Sequence, residues 1–247
     1  KCKDGIASAW VYWTTLDVEI QQKLAEKGGI YDTSRSGTDF SCNTQAGAIQ
    51  LIKEGFTVVF VGVNHGETIR DELLVKRNVL ILDLDMKESL DHISQKCKGL
   101  FVIDHHLRPA GKVSRYETID TKESGCTYTW KIFNEGRPVP RLLEYIKAID
   151  LNKIDTRDER MLYSVSWITR NITGFNHITT HIDLRDGNIL KLGRDIFYKL
   201  ANSVQILVGR VFNLRILIVK VGSRTYGYPV IYSEIKKDVI EGFKKSD

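Results

Sequence analysis

The feature that most limits how this chain can fold is a short apolar run that ends in three polar residues. Residues 99–103 read Gly-Leu-Phe-Val-Ile, and Asp104, His105 and His106 follow directly. Four consecutive branched or aromatic residues predict a strand that is buried on both faces, which is typical of parallel sheets covered by helices. In open α/β sheets, ligands gather outside the carboxyl ends of the strands. The sequence therefore predicts an acid and two imidazoles at a position suited to chemistry.

A second predicted strand, residues 78–82, ends in the same way, because Asp83 is the next residue. Residues 86–97, between the two strands, have the apolar spacing of a helix. These segments predict a strand-helix-strand unit that brings Asp83 to the same edge as residues 104–106. A single acid after a strand is most often the N-cap of the next helix, but two such positions at one edge indicate a functional site.

The side-chain types at this edge indicate a metal ion. Carboxylate oxygen and imidazole nitrogen together suit a divalent ion such as Mn²⁺ better than Ca²⁺, which prefers ligand shells made of oxygen alone. The four cysteines, Cys2, Cys42, Cys97 and Cys126, have no C-x-x-C spacing, so neither a zinc knuckle nor a disulfide framework is indicated. A reducing compartment is the simpler inference.

The distribution of charge favours a polyanionic partner. Residues 191–247 hold 11 Lys and Arg against 5 Asp and Glu, a net charge of +6, whereas residues 1–190 hold 25 against 26. The basic part can hold phosphates that the first part cuts. The alternative explanation is that lysines near the C-terminus only solvate a helix. No apolar run approaches the roughly eighteen residues that a membrane helix needs, so no membrane partner is expected.

Several motifs, in a fixed order, give a resemblance to a known family. They are Asp4-Gly5-Ile6-Ala7-Ser8-Ala9-Trp10, Asp83 after its strand, Asp104-His105-His106, Glu123-Ser124-Gly125-Cys126, and Asp150-Leu151 after a predicted helix. Over about residues 1–155 this set resembles the DHH phosphoesterase superfamily. Its members include RecJ-type exonucleases, nano-RNases, cyclic-dinucleotide phosphodiesterases and family II inorganic pyrophosphatases.

The resemblance implies an α/β fold in which a parallel β-sheet flanked by helices forms a catalytic domain, residues 1–155. A mainly helical linker, residues 156–212, and the start of a small α/β accessory domain that binds substrate, residues 213–247, would follow. The apolar run at residues 57–63 predicts a further strand. Many family members carry a glycine-rich, histidine-containing loop in the accessory domain, and these 247 residues contain no Gly-Gly-Gly-His sequence.

The resemblance also implies a set of site residues. The expected metal ligands are Asp4, Asp83, His105 and Asp150, and the expected catalytic residues are Asp104 and His106. Arg108 is a third expected catalytic residue, on the ground of its position just after the triplet and not of the resemblance. Asp4 and Asp83 would bridge two Mn²⁺ ions, with Mg²⁺ as the alternative metal. A family histidine that completes the first metal site would lie before Lys1, so either the chain extends further or that site is incomplete.

The remaining expected roles concern contacts to the substrate phosphate and the orientation of a histidine. His106 would contact the scissile phosphate, and Asp104 would orient an imidazole. Arg108 is positioned to hold a phosphate oxygen, or it is an ordinary surface arginine. The backbone N–H groups near Ser124 and Gly125 would bind phosphate or only cap the helix that begins there.

These expectations lead to three hypotheses about function. The first is a cytoplasmic, metal-dependent hydrolase: a two-metal phosphoesterase that acts on short oligonucleotides as a nuclease or exonuclease, or on cyclic dinucleotides as a phosphodiesterase. The second is a pyrophosphatase or polyphosphatase, and the third is a non-catalytic DHH-fold subunit of a larger assembly. If a targeting segment has been removed, the expected location of the protein is an organelle matrix instead of the cytoplasm. The sequence does not decide whether the protein forms a homodimer.

Overall fold

The computed structural model describes residues 2–26, 44–64, 66–86, 89–107, 116–183, 187–212, 215–221 and 224–230, with the backbone alone from residue 202 onward. In chain order the elements are α1 (Lys3–Trp13), α2 (Val18–Glu26), α3 (Gln45–Lys53), α4 (Asp71–Leu74), β1 (Asn78–Leu82), α5 (Leu90–Lys96), β2 (Gly99–Asp104), β3 (Glu117–Ile119), α6 (Gly125–Phe133), α7 (Arg141–Asp150), α8 (Glu159–Asn171), α9 (Phe175–His181), α10 (Gly187–Phe212), β4 (Arg215–Val221) and β5 (Arg224–Val230).

A parallel sheet of three strands, in the order β1-β2-β3, forms the centre of the fold. Leu82 of β1 lies opposite Ile103 of β2, and Ile119 of β3 lies opposite Asp104 at the end of β2. α5 connects β1 to β2. The predicted strand-helix-strand unit is confirmed, and the chain has an α/β fold with a parallel sheet flanked by helices.

Two apolar clusters hold the sheet and the helices together. On one side, Ile81 and Val102 are neighbours in the sheet and pack with Leu90 and Ile93 of α5. Ile93 and Val102 are 1% and 0% exposed, so the apolar spacing of α5 accounts for its position on the sheet. The other cluster is larger and joins α1, α6, α7, α8 and α9. α1, which carries Asp4, is thereby fixed against α6 and α7.

Residues 57–63 do not form a strand, contrary to the prediction from their apolar sequence. Phe60 is buried, and its ring centroid lies 6.3 Å from that of Tyr12 and 5.3 Å from that of Phe175. This segment, β1 and α1 line a cavity of about 700 Å³. An apolar run can be buried by aromatic packing on helices as well as by strand pairing, and the sequence pattern does not distinguish the two.

The C-terminal part of the described chain contains a long helix and a strand pair. α10 spans Gly187–Phe212, within the segment that was expected to be mainly helical, and it packs against α8. β4 and β5 pair in antiparallel fashion, from Arg215 opposite Val230 to Val221 opposite Arg224. The division of the chain into three domains stays a prediction. Among the described residues, no helix has both the length and the apolar character that crossing a membrane requires.

Candidate metal centre

Four elements bring polar side chains to the carboxyl edge of the sheet. Asp83 directly follows β1, β2 ends at Asp104, Asp4 lies in the first turn of α1, and Asp150 is the last residue of α7. Six of the seven predicted site residues therefore come together: Asp4, Asp83, Asp104, His105, His106 and Asp150. The seventh, Arg108, lies outside the described residues.

His105 occupies the middle of this cluster, because three carboxylates surround one of its ring nitrogens. His105 Nε2 lies 3.1 Å from Asp83 Oδ1, 3.3 Å from Asp150 Oδ2 and 3.8 Å from Asp4 Oδ2. Burial opposes protonation of this imidazole, but the hydrogen bond to Asp83 and the nearby negative charges raise the pKa of His105 to about 9.

One imidazole does not balance the charge of three carboxylates. Within the described part of the chain, His105 is the only basic side chain within 4.0 Å of the carboxylates of Asp4, Asp83 or Asp150. The side chains of Asp4 and Asp83 are 1% and 2% exposed, so water screens them poorly. Buried charges are stable when they are paired or when they coordinate a metal ion, and the geometry here fits the second case.

Asp83 reaches the centre through an uncommon backbone conformation. Its φ is 53°, in the left-handed region that residues with a Cβ seldom adopt. Gly125, at the start of α6, leaves the space for its side chain, because a Cβ on residue 125 would lie 2.6 Å from the Cβ of Asp83. A strained backbone that positions a buried carboxylate is typical of functional sites.

Asp4 is held by the N-terminus of α6. Its Oδ2 accepts the backbone N–H of Gly125 at 2.6 Å, and its Oδ1 accepts the N–H of Cys126 at 3.0 Å. Burial and the neighbouring charge of Asp83 nevertheless raise the pKa of Asp4 to about 7. The N–H groups near Ser124 that the sequence suggested for phosphate binding thus hold a carboxylate of the centre instead.

Asp104 orients the second histidine of the triplet. It is fully buried, and its Oδ1 lies 2.6 Å from Nδ1 of His106 and accepts the backbone N–H of His105 at 2.8 Å. The hydrogen bond to Asp104 raises the pKa of His106. The His106 side chain is 39% exposed, whereas that of His105 is 9% exposed. His106 therefore lies on the outer side of the cluster.

Two overlapping groups of side chains have the arrangement of metal ligands. One ligand atom from each residue lies within 4.8 Å of the others in the group Asp83, Asp104, His105 and His106, and in the group Asp4, His105 and Asp150. This edge of the sheet could therefore hold a metal ion. Carboxylate and imidazole ligands are compatible with several divalent metals, so the identity of the ion stays open.

The sequence predictions missed Cys2. This residue is the N-cap of α1, and its thiol donates to Asp83 Oδ2 at 2.9 Å while its Sγ accepts the N–H of Gly5 at 3.1 Å. Ser, Thr, Asp and Asn are the preferred N-cap residues. A cysteine two positions before a buried helical aspartate was the one signal in the sequence that could have drawn attention to it.

Comparisons of the chain with protein-family models, with curated proteins and with solved structures found no match. The function is therefore inferred from the residues and geometry of the centre.

Proposed function

We propose that the chain is a metal-dependent phosphohydrolase of the DHH type that cleaves phosphodiester bonds in short oligonucleotides or cyclic dinucleotides. The observation that carries this proposal is the arrangement of Asp4, Asp83 and Asp150 around His105. Buried carboxylates that lack sufficient cationic partners attract divalent ions, and paired divalent ions are a common device for phosphoester hydrolysis. The ordered motifs of the sequence support the DHH assignment.

Each side chain of the centre has a distinct role in this proposal. Asp4 and Asp83 would be shared ligands of two divalent ions, and His105 and Asp150 would complete one of the two positions. When bound, the ions would supply a Lewis acid that polarises a phosphoryl oxygen and lowers the pKa of a water molecule. His106, which Asp104 orients, contacts the scissile phosphate.

The charge of the C-terminal part supports a nucleic-acid substrate. Residues 191–247 hold 11 Lys and Arg against 5 Asp and Glu, and Arg224, Tyr226 and Tyr228 occupy alternate positions of β5. Basic segments that also carry aromatic residues suit single-stranded nucleic acids, since bases stack on the rings while cations hold the backbone. Pyrophosphate has no base to stack, so tyrosines would contribute little to its binding.

The test is hydrolysis by the full-length protein of 5′-labelled RNA and DNA oligomers, a cyclic dinucleotide and pyrophosphate, each with and without Mn²⁺. Asp83→Ala removes the carboxylate that both ions would share. Asp91→Ala is the matched control, because Asp91 is an exposed acid on α5. We expect Mn²⁺-dependent turnover by the wild-type protein and by Asp91→Ala, and none by Asp83→Ala.

Two other outcomes would change the assignment. Turnover of pyrophosphate alone would replace the phosphodiesterase by a pyrophosphatase. No turnover of any substrate, together with no Mn²⁺ binding in calorimetry, would refute the enzyme and favour a binding or structural subunit.

A further inference from the structure

A slot runs along the free edge of β1. It is the cavity of about 700 Å³ that residues 57–64, residues 76–84 and one face of α1 line. β1 is the outermost strand of its sheet and, among the described residues, pairs with β2 alone. Apolar side chains on both sides of the slot are only half-buried, among them Val59, Val61, Leu80 and Leu82. The slot is therefore an apolar space beside a strand that lacks a partner on this side.

Alternate residues of β1 present their backbone groups to the slot. The N–H of Asp83 donates to a carbonyl of β2 at 3.0 Å. Because successive residues of a strand direct their backbone groups to opposite sides, Val79 and Ile81 also face β2. Leu80 and Leu82 therefore direct their N–H and C=O groups into the slot, where no strand among the described residues pairs with them.

Residues 57–63, on the opposite side of the slot, also lack backbone partners. Within the described part of the chain, none of their N–H or C=O groups hydrogen-bonds to another backbone group. In folded proteins, nearly all backbone groups that lie away from water are paired. Phe60 holds the segment in place, because its ring packs against those of Tyr12 and Phe175. Unpaired backbone thus lines the slot on both sides.

The unpaired backbone determines which kind of molecule fits the slot. A small apolar molecule would cover the valines and leucines but leave the N–H and C=O groups unpaired, and water would do the reverse. An extended peptide segment matches both, since its side chains pack while its backbone continues the sheet. A residue of a packed strand takes up about 160 Å³, from a rise of about 3.3 Å, a strand spacing of about 4.8 Å and a layer thickness of about 10 Å. The slot thus has room for about four residues, close to the five of β1.

The position of α1 indicates where such a strand would lead. One face of this helix lies along the slot: Gly5, Ile6, Ala9 and Tyr12. Its N-cap, Cys2, also lines the slot, and the Sγ of Cys2 lies 2.9 Å from Oδ2 of Asp83, at the carboxyl end of β1. In α/β folds, a helix that covers a parallel sheet and starts at this end follows a strand that ends there, as α5 follows β1. A strand in the slot that runs parallel to β1 would end beside the start of α1.

We propose that the slot holds a further strand of the sheet, parallel to β1, and that the segment directly preceding α1 in the full-length protein supplies it. The strand hydrogen-bonds to Leu80 and Leu82 on one side and to the backbone of residues 57–63 on the other. Because it leads into Cys2, it fixes the first turn of α1, and with it Asp4, at the carboxyl edge of the sheet. The strand does not depend on a bound metal ion, so the inference stands apart from the proposed function.

The test is nuclear magnetic resonance of the full-length, deuterated protein in a chelator. Hydrogen exchange is measured for each backbone amide of β1, and nuclear Overhauser effects between amide protons identify the neighbouring strand. Val79 and Ile81 are the control amides, because β2 protects them with or without a strand in the slot. Leu80 and Leu82 are the amides that face the slot.

We expect Leu80 and Leu82 to exchange as slowly as the control amides. Opening a core strand costs a large share of the free energy of unfolding, so both should exchange at least about 1,000-fold more slowly than in an unfolded peptide. Overhauser effects should join them to residues within about ten positions before α1, the usual upper length of a strand. Faster exchange of Leu80 and Leu82 than of the controls overturns the inference. Slow exchange with contacts to residues 57–63, to another part of the chain or to no segment also overturns it.

Discussion

Two buried carboxylate clusters in this molecule differ in how their negative charge is balanced. Glu123 and Asp83 are similarly buried, with 6% and 8% of their surfaces exposed. Glu123 accepts hydrogen bonds from Lys131 at 2.6 Å and from Lys147 at 2.8 Å. Among the described residues, the basic side chain that contacts Asp83 is His105 alone. One cluster thus has two lysines for one carboxylate, whereas the other, among the described residues, has one imidazole for three carboxylates.

The pKa values show the consequence of this difference. Burial alone would raise the pKa of Glu123, but hydrogen bonds from Lys131 and Lys147 lower it to about 2. Burial and the charge of Asp83 raise the pKa of Asp4 to about 7. Two buried acids are therefore shifted in opposite directions. A carboxylate balanced by lysines stabilises the fold, whereas an unbalanced one is suited to bind a cation from solution.

Gly125→Ala tests the close packing around Asp83 that the cluster of Asp4, Asp83, His105 and Asp150 requires. We expect this substitution to have the largest effect. The new Cβ would lie 2.6 Å from the Cβ of Asp83, so the carboxylate must move. Loss of a partner outside the ligand set already costs about 10–100-fold in metal affinity, so displacement of a ligand should cost more than about 100-fold in a Mn²⁺ titration.

Gly136→Ala is the control for this substitution. Gly136 has a φ of 75° and no atom within 4 Å of the position of a Cβ, so alanine there strains the backbone without touching the centre. We expect lower stability but unchanged Mn²⁺ affinity in this variant. Unchanged affinity in Gly125→Ala as well would contradict the role of Asp83 as a ligand.

The sequence predicted the parts of the fold that depend on local pattern. β1 and β2 begin and end close to the predicted residues, because buried parallel strands are short apolar runs. The position of Asp83 beside residues 104–106 followed from the same pattern, since parallel strands end at one edge. The prediction was wrong for residues 57–63, where burial depends on rings from α1 and the start of α9.

The parts of the centre that the sequence did not predict are contacts between distant segments. The hydrogen bond from Cys2 to Asp83 joins residues 81 positions apart, and that from Gly125 to Asp4 joins residues 121 positions apart. No local periodicity reports such contacts, because they depend on how α1 and α6 pack together. Ligand types can be predicted from the sequence, but the partners that orient them cannot.

Glu123→Gln tests the cluster of Glu123, Lys131 and Lys147, and it should have the second-largest effect. The pKa of Glu123 is about 2 against an ordinary value of 4.5, and this difference corresponds to about 3 kcal/mol of stability at pH 7. We therefore expect the free energy of unfolding to fall by about this amount in chemical denaturation without metal. Glu135→Gln, at an exposed acid, is the control. A cost no larger than that of the control would show that the lysines do not stabilise Glu123.

The same carboxylate predicts how stability depends on pH. Because the pKa of Glu123 is lowered in the folded state, its contribution is fully present above the ordinary value of 4.5 and is lost as the pH falls towards about 2. The free energy of unfolding of the wild-type protein should thus fall more steeply across this window than that of Glu123→Gln. Parallel curves for the two proteins would contradict the lowered pKa.

The effect of Asp150→Asn on thermal stability should change sign when metal is added. Burial raises the pKa of Asp150, and the residue ends α7, where the helix dipole disfavours negative charge. Neutralisation should therefore raise the melting temperature in a chelator at pH 7. With saturating Mn²⁺ the wild-type protein should be the more stable, because a ligand at a hundred times its Kd adds about 2.7 kcal/mol. A variant that is at least as stable as the wild-type protein with saturating Mn²⁺ would contradict a metal role for Asp150.

Asp71→Asn tests whether basic partners stabilise a carboxylate that is not buried, and it should have the smallest effect. Asp71 lies 2.8 Å from Lys96 Nζ and 3.2 Å from His92 Nε2, so it has two basic neighbours, as Glu123 does. Its side chain is 47% exposed, however, and water and salt screen an exposed ion pair strongly. We expect no measurable change in the free energy of unfolding. A loss as large as that of Glu123→Gln would mean that pairing stabilises the fold at any depth. No loss would show that lysine pairing matters only where the carboxylate is buried. Asp4 and Asp83 are buried without a lysine partner among the described residues, which suits them to bind a cation.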